Sequence, residues 1–202
     1  MHEMGLKLIE EGVVDHVVGF GWPDWQFEQQ LAIHDQPMAN NGSGRLGHAT
    51  EVSWPTEFTN DLLGIWRQMG LDDVWYYGGA EYNVNAAFTG GEITFLLQST
   101  SSLDGVLRTV GDDFEVRTTF LPRVDGYPRG NSLIGGNSLY VSSNVTDEEL
   151  EVIFEFFKYL SEPEVDVFWH KNTGYFPSTN AALKELMDSG WFQESPNHLT
   201  AF

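Results

Sequence analysis

Apolar positions recur along this chain with helical and strand spacings that define most of its elements. From Met4 to His16, Leu6, Leu8, Ile9, Val13 and Val14 fall largely on one helical face. GFGWPDW, with Gly, Pro and two Trp, breaks that pattern, and Trp22 and Trp25 flank a Pro-Asp turn; Phe27 to Ile33 is a short helix. NNGSGRLGHAT is a polar, glycine-rich loop. Thr56 to Met69 repeats Phe58, Leu62, Leu63, Ile65, Trp66 and Met69 at helical spacing, with Thr56 placed to cap it. Ala80 to Thr89 is a further helix closed by Gly90 and Gly91. Ile93 to Leu97 is a short apolar strand, and Ser99 to Ser102 leads into a helix through Val110.

Phe114 to Leu121 alternates as a strand does, Val124 to Gly136 is turn-rich, and Ser138 to Ser143 is a second strand candidate. Thr146, with Glu149 three residues on, forms a capping box before VIFEFFKYL. Helices follow over Glu162 to His170 and Asn180 to Met187. Alternating helices and short strands give an α/β fold class.

Composition narrows the function classes. The 202 residues are 41% apolar and 14% aromatic, enough for a substantial core. No apolar run approaches the ~18 residues of a membrane span. Thirty acidic residues against ten basic ones leave a net charge of −20. A phosphate-backbone partner requires clustered Lys and Arg, so nucleic acid is excluded as the expected partner, and anionic membrane surfaces are disfavoured. Such a charge keeps a protein soluble, and it also suits a high-salt medium that screens the repulsion. Without cysteine there are no disulfides and no thiolate chemistry.

Candidate chemistry is sparse. The six His, at 2, 16, 34, 48, 170 and 198, show no two-His metal spacing, so no metal site is expected. No GxSxG, P-loop or GxGxxG occurs. The many carboxylates single out no glycosidase pair. Ser99-Thr100-Ser101-Ser102, between an apolar strand and a helix, gathers hydroxyls and backbone N–H groups suited to an anionic or polyhydroxylated ligand; plain capping explains the same residues. Trp22 and Trp25 offer indole faces to the C–H face of a sugar or polyol, or fill a core. Gly135-Gly136 allows close backbone approach or a bend. Tyr175, in a Gly-Tyr-Phe-Pro turn, offers a hydroxyl to a ligand or fills space.

Four segments, SLIGGNSLYVSS, FFKYLSEPEVDVFWHKNTGYFPSTNAAL, FTGGEITFLLQSTSSL and GWPDWQFEQQLAIHDQPMANNG, taken together resemble one family. The chain resembles the solute-binding proteins of ABC importers, and among them those for glycerol 3-phosphate. Their IIGGASLWV-type strand, KFxxFLxxPE helix and WHxxTGYLPxT turn occur here in the same order, and the likeness runs over nearly the whole chain. The Ser-rich turn departs from the family, reading STSS in place of SSGS.

The resemblance implies a periplasmic-binding-protein-like type II fold, two α/β lobes joined by a hinge with the ligand closed between them. Residues 1–133 then belong to the second lobe, 134–137 to the hinge crossover, 138–180 to the returning first lobe and 181–202 to the start of the return. It implies ligand contacts from Ser99, the Gly136 backbone, Tyr175 and Trp22, with Trp25 as the alternative to Trp22. The function it implies is an extracytoplasmic receptor, periplasmic or extracellular and lipid-anchored in some forms. That receptor is monomeric, needs no cofactor, is not an enzyme, and delivers glycerol 3-phosphate or a related phosphodiester to permease transmembrane subunits. A neutral sugar or polyol is the alternative ligand, and a carbohydrate-active hydrolase the alternative class.

A Tyr and a Glu of the family's early first lobe have no counterpart here, and the positions of a further Ser and of a ligand Arg fall before Met1 and after Phe202. The start MHEMGLKLIEEGVVDHVV lacks the basic and apolar regions of a signal peptide. The chain therefore reads as an internal stretch with an incomplete first lobe, whose helices expose apolar surface. Low stability of the isolated chain is the expected outcome. A cooperative, high-temperature melt followed by circular dichroism contradicts it.

Overall fold

The computed structural model describes residues 1–78 and 81–201. The chain forms two compact units, residues 1–98 with 121–134, and residues 99–120 with 135–202. The units part at 98/99, 120/121 and 134/135.

The first unit is built on a three-stranded parallel sheet in the order β2-β1-β3. Strand β1 is Val18–Phe20, β2 is Trp75–Tyr76 and β3 is Phe95–Leu97. Val18 lies opposite both Trp75 and Phe95. The central strand is wholly buried, as a strand covered on both faces must be, so it shows no alternation. That is why β1 is not visible in the apolar pattern; the partly buried β2, two residues long, is too short to carry one. Helices α1 (His2–Glu10), α2 (Pro23–Ile33), α4 (Glu57–Leu71) and α5 (Glu81–Thr89) accompany the sheet, with a tight turn, α3 (Asn40–Ser43), that has positive φ at Asn41, Gly42 and Ser43, inside the glycine-rich loop. Val17, Val18, Phe20, Met69, Val74 and Leu97 form the central core. The Phe20 ring packs on Trp66 and Trp75 at centroid distances of 5.1 and 4.9 Å. Thr56 caps α4 and exchanges bonds with Thr59 in a full capping box.

The second unit is helical: α6 (Leu103–Val110), α7 (Asp147–Leu160), α8 (Pro163–Thr173), α9 (Asn180–Asp188) and α10 (Trp191–Glu194), with 3-10 turns at Thr100–Ser102 and Pro196–Ala201. Thr146 and Glu149 make the expected capping box on α7. Val167, Ala182, Leu186 and Phe192 form this unit's core. Helix α7 leaves Val152 71%, Phe154 61% and Tyr159 54% exposed. No described helix is long and apolar enough to cross a membrane.

Three expectations need correction. Pro23-Asp24 is the first turn of α2 rather than a free turn; Pro at the first helical position has its fixed φ and its missing N–H at no cost. Residues 114–121 form no strand, because the backbone there is served by a side chain: Asn197 Oδ1 accepts from Thr118 N at 3.0 Å and Asn197 Nδ2 donates to Val116 O at 2.9 Å. Residues 138–143 form none either. Leu139 and Tyr140 are 64% and 89% exposed, and an extended segment without a ladder partner is not a strand. Residue 80, the expected start of α5, lies outside the described residues.

The segment 121–134 has no regular structure, and the first unit holds it through side chains. Gln29 Nε2 donates to Leu133 O and Gln29 Oε1 accepts from Leu133 N, both at 2.9 Å. Gln30 Nε2 donates to Pro122 O at 3.1 Å. Val124 N donates to His34 Nε2 at 2.9 Å, while His34 Nδ1 meets Gln30 O at 2.7 Å, so His34 is the Nδ1–H tautomer. Gln29→Leu removes both bonds to the Leu133 peptide and leaves its polar groups without those partners. The expected loss is about 1–3 kcal/mol in urea unfolding; an unchanged midpoint contradicts the clamp.

Candidate functional site

The expected ligand residues fall in both units: Trp22 and Trp25 in the first, Ser99, Gly136 and Tyr175 in the second.

In the first unit the parallel strands all end at one edge, the edge where open α/β sheets bind ligands. Gly21-Trp22 follows β1 there and Gln98 follows β3. Trp22 caps α2 with φ 48° and ψ 77°, a left-handed conformation that costs a non-glycine residue about 1–2 kcal/mol. Its ring stands edge-on to that of Trp25, centroids 6.2 Å apart, and is 36% exposed. Trp25 lies in the first turn of α2 and is half-buried.

In the second unit Ser99 caps the 3-10 turn: its Oγ accepts from Ser101 N at 3.3 Å and lies 3.0 Å from Ser101 Oγ. Capping, one of the two readings of this segment, is therefore realised. The turn that carries Tyr175 lies against this Ser-rich turn. Gly174 ends α8 with φ 73°, and a Cβ there would stand 2.7 Å from Thr100 O, so only glycine permits the approach. Residues 74 positions apart in sequence are thus brought side by side. Tyr175 is 41% exposed. Gly136 has φ 145° and lies in an exposed extended segment with no atom within 4 Å of where its Cβ would be; the packing that joins the Ser99 and Tyr175 turns does not involve it.

Two buried residues that the sequence did not single out hold the Tyr175 turn. His170, 2% exposed, donates from Nδ1 to Tyr175 O at 2.7 Å. Asp166, 5% exposed, accepts from Ser178 N (2.9 Å), Ser178 Oγ (3.1 Å), Thr179 N (2.8 Å) and Thr179 Oγ1 (2.9 Å). Ser178-Thr179 ahead of α9 is a capping signal, and it is the only mark of this arrangement in the sequence. Beneath them His198 Nε2 lies 3.0 Å from Asp104 Oδ1, and the His170 and His198 rings meet edge-on at 5.6 Å. No group of His, Asp and Glu among the described residues is arranged to hold a metal ion.

Comparison with known proteins bears on residues from both units. Residues 18–200 match the profile of the bacterial extracellular solute-binding proteins. The chain belongs to that family. Among its relatives is the sn-glycerol-3-phosphate-binding periplasmic protein UgpB of Rhizobium meliloti (strain 1021), 28% identical over 180 residues that make up 89% of this chain and 41% of the relative. The protein of the same name from Brucella abortus (strain 2308) matches to the same extent. That of Yersinia pseudotuberculosis serotype I (strain IP32953) is 29% identical over 87% of this chain and 40% of its own length. The chain thus spans about two fifths of the length of the relatives it matches. Membership of this family implies the periplasmic-binding-protein-like fold, with which the small parallel sheet and its helices are compatible.

Burial, above all, holds the His170 imidazole below its ordinary pKa of 6.5; the bond to Tyr175 O opposes this, His198 reinforces it, and Asp104 and Asp166 oppose it. The unfolded chain therefore takes up a proton at a higher pH than the folded one. The contribution of His170 is complete above pH 6.5 and is lost as pH falls toward the lower, folded value. Urea unfolding between pH 7.5 and 5.5 should show a decline in stability that is smaller in His170→Asn. Equal slopes in the two proteins contradict this.

Proposed function

We propose that this chain supplies ligand contacts in the receptor of an ABC importer, binding glycerol 3-phosphate or a related phosphodiester outside the cytoplasm and passing it to the permease transmembrane subunits. The observation that carries the reading is the match over 18–200 to the solute-binding family, together with relatives that bear the name of a glycerol-3-phosphate-binding protein. Trp22 stacks on the carbon backbone of the solute, with Trp25 at its edge. Ser99 and the adjoining N–H groups meet the phosphate or hydroxyls, and the Gly136 backbone and Tyr175 hydroxyl complete the polar contacts. Binding is the function, with no bond made or broken and no cofactor engaged. Residues 1–133 form part of one lobe, 134–137 the hinge crossover and 138–180 part of the other, with 181–202 beginning the return. The receptor works as a monomer in the periplasm or at the cell exterior, where a lipid anchor retains it in some forms.

A neutral sugar or polyol is the second reading, and the net charge of −20 favours it, since long-range repulsion opposes an anionic solute. Isothermal titration calorimetry of the protein with glycerol 3-phosphate, a glycerophosphodiester and maltose, at low and high salt, separates the two. Glycerol 3-phosphate should bind, and bind more tightly once salt screens the repulsion. Trp22→Ala should weaken binding by about tenfold, the loss of roughly 1.4 kcal/mol. Binding of maltose alone, unaffected by salt, selects the second reading, and binding of none of the three overturns the proposal.

A further inference from the structure

Two glutamine amides bracket the peptide that leads into Trp22. From the helix side Gln26, 1% exposed, sends Nε2 to Gly21 O at 3.4 Å. From the strand side the Gln98 amide occupies the space where a side chain on residue 21 would begin: a Cβ there would lie 2.6 Å from Gln98 Cδ. Gln98 is itself oriented by Asn85, whose Oδ1 accepts from Gln98 Nε2 at 3.0 Å. Gly21 N donates to Leu97 O at 2.8 Å, so the peptide is also tied to the end of β3. Residue 21 must be glycine for the Gln98 amide to lie over the backbone at this distance.

This arrangement is costly as packing. Gln26 Oε1 is buried and has no hydrogen-bond partner among the described residues. A methionine of similar length fills the same volume without burying an unsatisfied acceptor. What the amide supplies and a thioether does not is the bond to Gly21 O. That bond sits one residue before a left-handed tryptophan with a partly exposed ring, a conformation that persists only where its surroundings enforce it.

We propose that Gln26 and Gln98 are positioning residues for Trp22. They fix the Gly21 peptide from two sides, hold Trp22 in its left-handed conformation and so set the direction of the indole face. A ring held in place before binding loses less freedom when it stacks on a solute. The inference rests on the reading of Trp22 as the stacking residue, and it adds the residues that set how well Trp22 performs that role.

The test uses protein labelled with 5-fluorotryptophan, with the Trp22 fluorine resonance assigned by its loss in Trp22→Phe. Gln26→Met should melt near the wild-type temperature, because removal of a buried unsatisfied oxygen offsets the loss of the long bond to Gly21 O. Its Trp22 resonance should nevertheless move and sharpen as the ring gains freedom, and affinity for glycerol 3-phosphate, measured by calorimetry, should fall by about fivefold. Gln98→Leu should move the same resonance. Gln29→Leu, which loosens the 121–134 segment, should lower stability and leave the Trp22 resonance in place, separating positioning from general destabilisation. An unmoved Trp22 resonance in Gln26→Met overturns the inference whatever the affinities, and it decides the matter alone if Gln98→Leu does not fold. A resonance that moves in a protein whose wild type binds no solute upholds the positioning role and removes the receptor reading instead.

Discussion

The peptide groups of Pro122, Val124 and Leu133 belong to no helix or strand, yet they are held in the first unit by hydrogen bonds from one short helix and the residue that ends it. Gln29, Gln30 and His34 reach across some ninety to a hundred residues of sequence to satisfy them. A backbone segment without its own ladder can pack only if its N–H and C=O groups find partners. Amide side chains and a single imidazole tautomer provide donors and acceptors where a strand would otherwise be required. The cost is a helix that buries Gln26, Gln29 and Gln30 beside Leu31 and Ile33. The gain is that 121–134 returns to the unit containing the sheet, after the chain has left it for 99–120.

The second unit meets the same constraint with a carboxylate. Asp166 accepts four hydrogen bonds from Ser178 and Thr179, and His170 donates to the carbonyl of Tyr175, so the turn between α8 and α9 is fixed at both ends. Charge-assisted bonds to buried backbone are among the stronger polar contacts a protein makes. By contrast, the exposed pairs Arg117–Glu115 and Lys158–Glu155 contribute little. In a chain with a net charge of −20, placement of individual carboxylates thus matters more than their number. One buried carboxylate organises a turn, while most of the rest keep the surface charged.

These two clamps bear on function in different ways. In the first unit Gln29, Gln30 and His34 hold residues 121–134, while Gln26 and Gln98 are proposed to order Trp22 at the edge where the parallel strands end. In the second, rigidity is delivered to a turn that lies against the Ser-rich segment, where Gly174 meets Thr100. A binding protein gains affinity from groups ordered before the ligand arrives, and both arrangements order a candidate contact through residues that need not touch the ligand themselves.

Several features were legible in the sequence because they are local. Helical spacing, the Thr56 and Thr146 caps, and the short β3 run follow from interactions between residues a few positions apart, and the family resemblance rests on the order of short motifs. The strands at 18–20 and 75–76 were not legible, since a strand buried on both faces carries no alternation and a two-residue strand carries no pattern. The alternation in 114–121 was misleading for the opposite reason: Asn197, some eighty residues away, takes the place of a partner strand. Tertiary structure alone decided that buried glutamines would be clamps, that His34 and His170 would be backbone partners, and that Ser99 and Tyr175 would lie on adjoining turns. Each of these depends on which distant backbone groups need a donor or an acceptor, and that need arises only once the chain has folded.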